Sequence, residues 1–391
     1  MSFESEDGQM RVSRGWRSLV AMGAISACAA LTVQAGQAAA ETPGMLTSVV
    51  RQPDSFHGIP GGSVISYWMA GSDGSPRPAS GAMFVPRGTP PPGGWPIVAF
   101  THGTTGLGAG CGGKSDPSTG PQTVFIGEED AMMRHLVDRG FAVVAPDYLG
   151  LGLFDTGPHP YLERQTEATA TIDLVRAARS ARPDLSRTWA VMGPSQGGQA
   201  ALGTGYLQQT YAPDLDFRGT IAIDPESDVE KGLPVAGPGL PALPGLDGTT
   251  GFIADILAGL RTARPDAGVD DYLSPLGRTV LDEIATMCQP AIDARVNGLG
   301  IGDLLSKPLS DKRIRDVYTE YLTVPTRGYN APILLLLNAT DTMVPSPLHA
   351  ALAAQFAANG VDFRTVTGTG RHTQLNPAMW AAIDDFLARM R

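Results

Sequence analysis

The chain has 391 residues, of which 42% are hydrophobic and 17% charged, so it can bury a large core and is not expected to be disordered. Its formal charge of −10 at pH 7, with basic residues scattered along the chain, argues against a nucleic-acid-binding surface. The length suits one large α/β domain with an insertion, or two ordinary domains.

The first forty residues have the pattern of an export signal, in which basic residues precede an apolar run and a small-residue cleavage site. These features are Arg11, Arg14 and Arg17, the run from Leu19 to Val33, and Ala38 to Ala40. We predict a signal peptide over residues 1–40 and a secreted protein; a buried N-terminal helix is one alternative. Ile25 to Cys28 resembles a lipobox, so a lipid anchor at Cys28 is another. No apolar run after the signal is long enough for a membrane span.

From about residue 62 onward, short apolar runs alternate with amphipathic helical windows, as in a largely parallel sheet flanked by helices. The predicted strands are 64–69, 81–85, 95–101, 141–146, 188–192, 219–223, 333–337 and 362–366. The first two are expected to form an antiparallel pair, with Asp73-Gly74 and Pro76 marking the turn. The predicted helices are 127–139, 164–181, 197–210, 346–358 and 376–390.

The alternation is interrupted between Pro225 and Asn330. We therefore predict a core formed by residues 41–225 and 331–391, with a cap or lid insertion over 226–330. The insertion begins with a segment rich in proline and glycine, and its helical stretches are 251–261, 278–296 and 311–321. A cap could present apolar side chains to a substrate while its hinges change conformation, and a rigid subdomain is the alternative.

The strand predicted at 188–192 leads into Gly193-Pro194-Ser195-Gln196-Gly197, a G-x-S-x-G pattern. This pattern suits a nucleophile elbow, in which a strand turns sharply into a helix at a serine and exposes its Oγ. Gly193 and Gly197 have a steric reason, because only small residues let the chain segments pass so closely. A chain rich in glycine and serine can match the pattern by chance, so its context decides its meaning.

A serine hydroxyl is a poor nucleophile at neutral pH, so it needs a base, an acid that orients the base, and donors for the oxyanion. In α/β-hydrolases the order along the chain is serine, acid, histidine. Asp341, after the strand 333–337, is the favoured acid, and Asp224, also just after a strand, is its competitor. His372, in the loop after the last strand, is the favoured base. His349 falls in a helical window, where a surface or packing role is expected.

Two backbone N–H groups are expected to form the oxyanion hole. One belongs to Gln196, at a helix start where N–H groups are unpaired and the helix dipole favours negative charge. The other is expected from the loop after the strand 95–101, where Thr104 is the predicted donor. His102 and Gly103 are predicted scaffold residues of this turn, and an ordinary glycine-rich turn is the alternative.

Removal of the signal leaves two cysteines, Cys111 and Cys288. A single disulfide between them is the simplest expectation in an oxidising compartment, and two free thiols are the alternative. The 6 histidines are scattered and no Cys or His pair has the spacing of a metal site, so no metal is predicted. The chemistry outlined above needs no cofactor.

Taken together, these motifs resemble the secretory lipases, a lipase A-like family of α/β-hydrolases. The resemblance spans most of residues 45–391 and is carried by His102 to Gly106, Pro146 to Gly152, Gly193 to Gly198, Asp341 with Val344-Pro345, and His372. It implies an α/β-hydrolase fold and hydrolysis of carboxylic esters, often acylglycerols. The implied catalytic residues are Ser195, His372 and Asp341, with Thr104 and Gln196 as oxyanion donors and the insertion as cap.

The resemblance also favours a bridge from Cys111 into the cap through Cys288. The expected partner is a small-molecule or lipid ester, with transient contact to a lipid interface. The insertion contains no motif that aligns residue by residue, so the acyl-chain length stays open.

Fold alone does not decide the substrate. An exported serine aminopeptidase is one rival, and it would need an acidic anchor for a free amine, for which Glu226, Asp228 and Glu230 are candidates. Acyl transfer to an acceptor other than water is another rival on the same fold. A non-catalytic exported binding protein is a rival of a different class.

Overall fold

The computed structural model describes residues 41–54, 56–116, 124–242 and 248–390, which fold around a central β-sheet. The predicted signal peptide over 1–40 and the alternative lipid anchor at Cys28 lie outside the described residues. The strands are β1 (Leu46–Arg51), β2 (Gly62–Ala70), β3 (Pro76–Phe84), β4 (Trp95–Phe100), β5 (Ala142–Pro146), β6 (Leu185–Pro194), β7 (Asp216–Ile223), β8 (Ile333–Asn338) and β9 (Phe363–Gly368).

The strands lie in the order β1-β2-β3-β5-β4-β6-β7-β8-β9. The pairs among β1, β2, β3 and β5 are antiparallel, and every pair from β5 through β4 to β9 is parallel. All side chains of β4 and β8 are buried, which explains their unbroken apolar sequences, since strands of a parallel sheet are covered on both faces. The carboxyl ends of the parallel strands meet at one edge, where open α/β sheets place their sites.

Helices of the core cover both faces of this sheet. They are α1 (Val124–Asp138), α2 (Arg164–Ala181), α3 (Gln196–Tyr211), α10 (Ser346–Ala358) and α11 (Pro377–Leu387). Buried residues of α2 and α3 pack on one face, and those of α1 and α11 pack on the other. The α/β architecture predicted from the alternation of strands and helices is therefore confirmed.

Residues 226–330, the predicted cap, contain the remaining α-helices of the described chain. They are α4 (Val229–Gly232), α5 (Thr249–Ala263), α6 (Pro275–Ile284), α7 (Gln289–Val296), α8 (Ile301–Leu304) and α9 (Lys312–Leu322). Their apolar side chains form a hydrophobic cluster of their own, which also includes Leu107, Tyr161 and Leu162 from outside the cap. No helix in the described part of the chain is long and apolar enough to cross a membrane.

Three element predictions differ from the structure. Strand β1 was not predicted, because it is mostly exposed and lacks an alternating apolar pattern. Strand β3 starts at Pro76 rather than at residue 81. All of β3 pairs with β2, but only its second half, from Gly81, also pairs with β5. Proline can therefore occupy the first position, because no strand on the β5 side needs an N–H there. The single helix expected over 278–296 is two helices, α6 and α7, and Cys288 lies between them.

Candidate active site

Ser195 lies at the sharp turn between β6 and α3, as the elbow pattern predicts. Its backbone has φ 55° and ψ −125°, a conformation that is strained for a residue with a side chain. A Cβ on Gly193 would lie 2.1 Å from Thr101 Oγ1, and one on Gly197 would lie 2.0 Å from the carbonyl oxygen of Thr101. Both glycines are therefore required by the close approach of β4 and its following loop.

A hydrogen-bonded chain joins Ser195 to the predicted base and acid. His372 Nε2 lies 2.8 Å from Ser195 Oγ, and His372 Nδ1 lies 2.6 Å from Asp341 Oδ2. Nδ1–H donates to the carboxylate, so Nε2 is left to accept the serine hydrogen. The side chains thus have the relative positions that a serine nucleophile requires.

Asp341 is held in its charged form by the groups around it. Its Oδ1 accepts hydrogen bonds from the backbone N–H groups of Met343 and Val344, at 2.9 and 3.2 Å. Burial raises the pKa of Asp341, but hydrogen bonds from His349 and His372, and the charge of His372, outweigh burial and hold the pKa below its usual range. Asp341 is therefore a carboxylate at neutral pH.

Asp224, the competing candidate for the acid, lies at the carboxyl end of the neighbouring strand β7 but holds the backbone together instead. Its Oδ1 accepts from Asn338 N at 2.6 Å, and its Oδ2 accepts from Asn338 Nδ2 at 2.7 Å and Thr373 N at 2.8 Å. It thereby joins the end of β8 to the loop that contains His372. Asp224, Asp341 and His349 offer ligand atoms within 4.8 Å of one another, but the N–H donors described above occupy the carboxylate oxygens, and we assign no metal to them.

His349 lies in α10 as predicted, but it is 2% exposed and is not a surface residue. Its Nε2 lies 3.1 Å from Asp341 Oδ2, the same oxygen that receives His372 Nδ1. The first turn of α10 follows directly after the loop that contains Asp341, and this brings the ring onto the carboxylate. The helical pattern predicted the element correctly and gave no sign of this contact.

The two predicted oxyanion donors flank Ser195. Among the described residues, the N–H groups of Thr104 and Gln196 donate to no protein acceptor. The Gln196 side chain is fixed, because its Nε2 lies 2.6 Å from Glu167 Oε1 and 2.8 Å from His159 Nε2. Burial lowers the pKa of His159 to about 3, so its ring is neutral and can accept this bond.

Buried polar contacts fix the turn that precedes Thr104. Gly103 N donates to Glu129 Oε1 at 2.7 Å, and Glu129 Oε2 accepts from Lys114 Nζ at 2.8 Å. The His102 ring stacks on Tyr148 with centroids 4.2 Å apart, and the Tyr148 hydroxyl donates to His102 O. His102 is thus part of the wall of this turn, where a scaffold residue was expected. Glu129 and Lys114 were not predicted from the sequence, because neither belongs to a recognisable motif.

The loop after β4 is bound to the cap by a covalent bond and by backbone hydrogen bonds. Cys111 and Cys288 form the predicted disulfide, with Cα atoms 5.3 Å apart. Gln289 N donates to Thr105 O at 2.8 Å, and Leu107 N donates to Met287 O at 2.9 Å. The oxyanion loop, residues 101–111, is therefore attached to the cap segment between α6 and α7.

Two cavities near Ser195 are lined by residues of both the core and the cap. One, of about 220 Å³, is lined by Thr104, Ser195 and His372 of the core and by Phe252 and Pro290 of the cap. The other, of about 290 Å³, is mostly apolar, and its lining residues include Glu226, Leu233, Phe252, Ile253 and Ile256. Phe252 lines both cavities.

Glu226, the first residue of the predicted cap, contacts Ser195. Its Oε1 lies 3.3 Å from Ser195 Oγ, 3.0 Å from the Tyr161 hydroxyl and 3.5 Å from Thr104 Oγ1. Of the acidic residues considered as an amine anchor, Asp228 instead pairs with Lys231 at 2.5 Å and accepts from Gln355. Glu230 is also buried.

Comparison with known proteins assigns the chain to a family. Residues 117–390, more than half of the chain, match the sequence profile of the secretory lipases. A Mycobacterium tuberculosis protein named "Probable inactive lipase" is 26% identical over 246 residues, which are 59% of this chain and 50% of that protein. The chain thus spans about half the length of this relative.

Solved structures show the fold. Candida antarctica lipase A in its closed state has a TM-score of 0.70 and 16% identity, covering 89% of this chain and 83% of the other. The rice cell wall degrading esterase LipA from Xanthomonas oryzae has a TM-score of 0.66 and 18% identity, covering 90% of this chain and 100% of the other. The predicted α/β-hydrolase fold is confirmed, and by the match over residues 117–390 the chain belongs to the secretory lipase family.

Proposed function

We propose that this protein is a serine carboxylic-ester hydrolase, a lipase or esterase, that acts through an acyl-enzyme. The observation that carries the proposal is the hydrogen-bonded chain from Ser195 through His372 to Asp341, at a cavity between core and cap. Membership of the secretory lipase family supports the reaction class, as do the names of the structural neighbours, a lipase and an esterase.

In this mechanism Ser195 Oγ attacks the ester carbonyl while His372 Nε2 takes its proton, and Asp341 stabilises the imidazolium that forms. The N–H groups of Thr104 and Gln196 donate to the oxyanion. His372 then gives the proton to the leaving alcohol. Water repeats the cycle on the acyl-enzyme, and no cofactor takes part.

The mostly apolar cavity lined by Glu226 and cap side chains favours acyl or aromatic esters over charged substrates. We propose that residues 226–330 act as a cap that controls access to Ser195, with transient contact to a lipid interface. We further propose export by the signal at 1–40, which agrees with the disulfide and with the family, and anchoring at Cys28 is the alternative.

A second candidate, a serine aminopeptidase, is favoured by one observation. Glu226 Oε1 lies 3.3 Å from Ser195 Oγ, where a carboxylate could receive the amine of a substrate. Acyl transfer to an acceptor other than water uses the same acyl-enzyme. A non-catalytic binding protein is a further candidate, and the observation that favours it is the name of the Mycobacterium tuberculosis relative, "Probable inactive lipase".

The test compares native protein with Ser195→Ala on p-nitrophenyl esters of increasing acyl length and on aminoacyl p-nitroanilides. Ser180→Ala is the control, because it changes an exposed serine near the end of α2. We expect ester turnover in Ser195→Ala to fall by about 10⁴-fold or more and the control to match the native protein.

Each other outcome favours a different candidate. Ester turnover at the native rate in Ser195→Ala contradicts the nucleophile. Anilide cleavage without ester cleavage favours the aminopeptidase. A native protein that turns over neither substrate favours the binding protein, and an alcohol acceptor that outcompetes water for the acyl group favours the transferase.

A further inference from the structure

Glu226 is a buried carboxyl group that the mechanism above does not use. It begins the cap, its backbone N–H donates to Ser195 O at 3.3 Å, and its side chain lines the mostly apolar cavity. Among the described residues, the Glu226 side chain forms hydrogen bonds with three hydroxyl groups, those of Thr104, Tyr161 and Ser195. Because Glu226 lies beside the nucleophile, its protonation state affects the proposed reaction.

The Ser195 hydroxyl has a single hydrogen and can donate only one hydrogen bond. In the competent site this hydrogen is donated to His372 Nε2, 2.8 Å away, because Nδ1–H is donated to Asp341. The contact of 3.3 Å between Ser195 Oγ and Glu226 Oε1 is then a hydrogen bond only if Glu226 supplies the hydrogen. An ionised Glu226 would instead place lone pairs against lone pairs.

The remaining hydroxyl groups complete a chain in which each hydrogen is used once. Thr104 Oγ1 donates to the Tyr161 hydroxyl at 2.8 Å, and Tyr161 donates to Glu226 Oε2 at 3.2 Å. Glu226 Oε1 then donates to Ser195 Oγ, which donates to His372. The chain runs in one direction from the oxyanion loop to the Asp341 carboxylate, and it needs Glu226 to be protonated.

The groups that face Glu226 favour the same state. Burial raises the pKa of Glu226, and this outweighs the hydrogen bond from Tyr161 and the charge of His372, which both lower it. The other acidic groups in electrostatic contact are Glu167 of α2 and Asp255 of α5, and burial together with the charge of Glu226 raises the pKa of each. A negative charge on Glu226 would therefore be buried in surroundings that disfavour ionised carboxyl groups.

The chemistry of attack adds a functional reason. Negative charge develops on the carbonyl oxygen beside Ser195, between the N–H groups of Thr104 and Gln196. Glu226 Oε1 contacts both Ser195 Oγ and Thr104 Oγ1, so it borders this position. An ionised carboxyl would oppose the developing charge, whereas a protonated one can donate to it.

We propose that Glu226 is a further catalytic residue, which works in its protonated form and donates first to Ser195 Oγ and then to the oxyanion. The proton stays on Glu226 throughout, so the O–H bond of Glu226 is not broken and the stoichiometry of ester hydrolysis is unchanged. The proposal rests on the ester hydrolase proposed above. It gives the cap a direct part in the chemistry through its first residue.

The test is the dependence of kcat/KM on pH, measured with a short p-nitrophenyl ester. In the native protein we expect activity to fall on the alkaline side as Glu226 loses its proton. Glu226→Gln keeps a donor that does not titrate, so we expect its activity at the optimum to stay within about fivefold and its alkaline limb to disappear. Glu226→Leu has no donor, and we expect about 10²-fold lower kcat.

Glu230→Gln is the matched control, since it alters another buried carboxyl of the cap, and its profile should follow the native one. The unfolding midpoint of each protein is measured at every pH, so that loss of fold is not mistaken for titration. If Glu226→Leu fails to fold, the comparison of Glu226→Gln with native protein still decides the proposal.

Four results would overturn the proposal. One is an alkaline limb that persists in Glu226→Gln, and another is a loss in Glu226→Gln as large as that in Glu226→Leu. The third is a native profile that stays flat until the protein unfolds. A native preference for aminoacyl esters that Glu226→Gln abolishes would make Glu226 an amine anchor instead. Failure of the hydrolase itself appears separately, as ester turnover that is absent or survives Ser195→Ala.

Discussion

The core and the cap meet at Ser195, and they hold their side chains there by different means. On the core side, Ser195, Asp341 and His372 each follow a parallel strand, β6, β8 and β9. The sheet therefore brings together residues that are far apart in the chain. On the cap side, Glu226 lies in a loop and Phe252 lies in α5, and the cap is held by a hydrophobic cluster of its own and by one disulfide.

This difference separates two kinds of control over the proposed reaction. A change at a strand end should affect the chemical step, because the sheet positions reacting atoms directly. A change in the cap should affect which substrates enter, except where the cap is joined to the oxyanion loop. We expect the largest effects from changes in the core. Changes at the junction, where the disulfide joins the oxyanion loop to the cap, should have intermediate effects, and changes in the cap wall, the cap side chains that line the cavities, should have the smallest.

The core assignment is tested by the two aspartates at neighbouring strand ends. We expect Asp341→Asn to lower kcat by about 10⁴-fold, because the amide cannot hold the imidazolium or its tautomer. Asp224→Asn replaces an acceptor of three N–H groups, and we expect a loss of about 1–3 kcal/mol in the free energy of unfolding with a much smaller effect on kcat. Steady-state kinetics and urea unfolding measure both, and the reverse order in kcat would make Asp224 the acid.

The junction is tested by removing the disulfide in the double variant Cys111→Ser/Cys288→Ser. We expect the free energy of unfolding to fall by about 2–5 kcal/mol, because the bridge closes a long loop. We also expect kcat to fall by about 10- to 100-fold with little change in KM, since Thr104 lies in the loop that the cap holds. Kinetics are measured at a temperature where the variant is folded. A kcat equal to that of native protein would show that the oxyanion loop keeps its position without the cap.

The cap wall is tested at Phe252, which lines both cavities. We expect Phe252→Ala to change kcat/KM for long relative to short esters by about 10-fold, and kcat for the shortest ester by little. Leu276→Ala, which alters an exposed leucine of α6, is the control and should leave the preference unchanged. A uniform fall in kcat across all chain lengths would assign Phe252 to the chemical step instead.

Much of the core could be predicted from sequence because the buried strands of a parallel sheet have a simple sequence pattern. Each buried strand is an apolar run, and a polar residue directly after a run lies at the active edge. Ser195 and Asp341 come after such runs and His372 comes after the last strand, so their order along the chain brought them into one hypothesis. Gly193 and Gly197 add a steric requirement that is visible without any structure.

The cap was harder to predict because its contacts leave no periodic pattern. A helical composition continues across residues 285–288, and only the backbone contacts with the oxyanion loop show why the helix is interrupted there. The contact of Glu226 with Ser195 depends on the path of the chain after Asp224-Pro225, which no local propensity describes. The same is true of His349, whose helix was predicted but whose buried ring on Asp341 was not.

His372 follows β9, the last strand of the sheet, which pairs only with β8 and exposes half of its side chains. Segments with few buried contacts open locally before the rest of a protein unfolds. His372 should therefore leave the site while the centre of the sheet is still intact. Heat tolerance, judged by remaining activity, is then set by the segment from β9 to α11, and efforts to make the protein more durable should begin there.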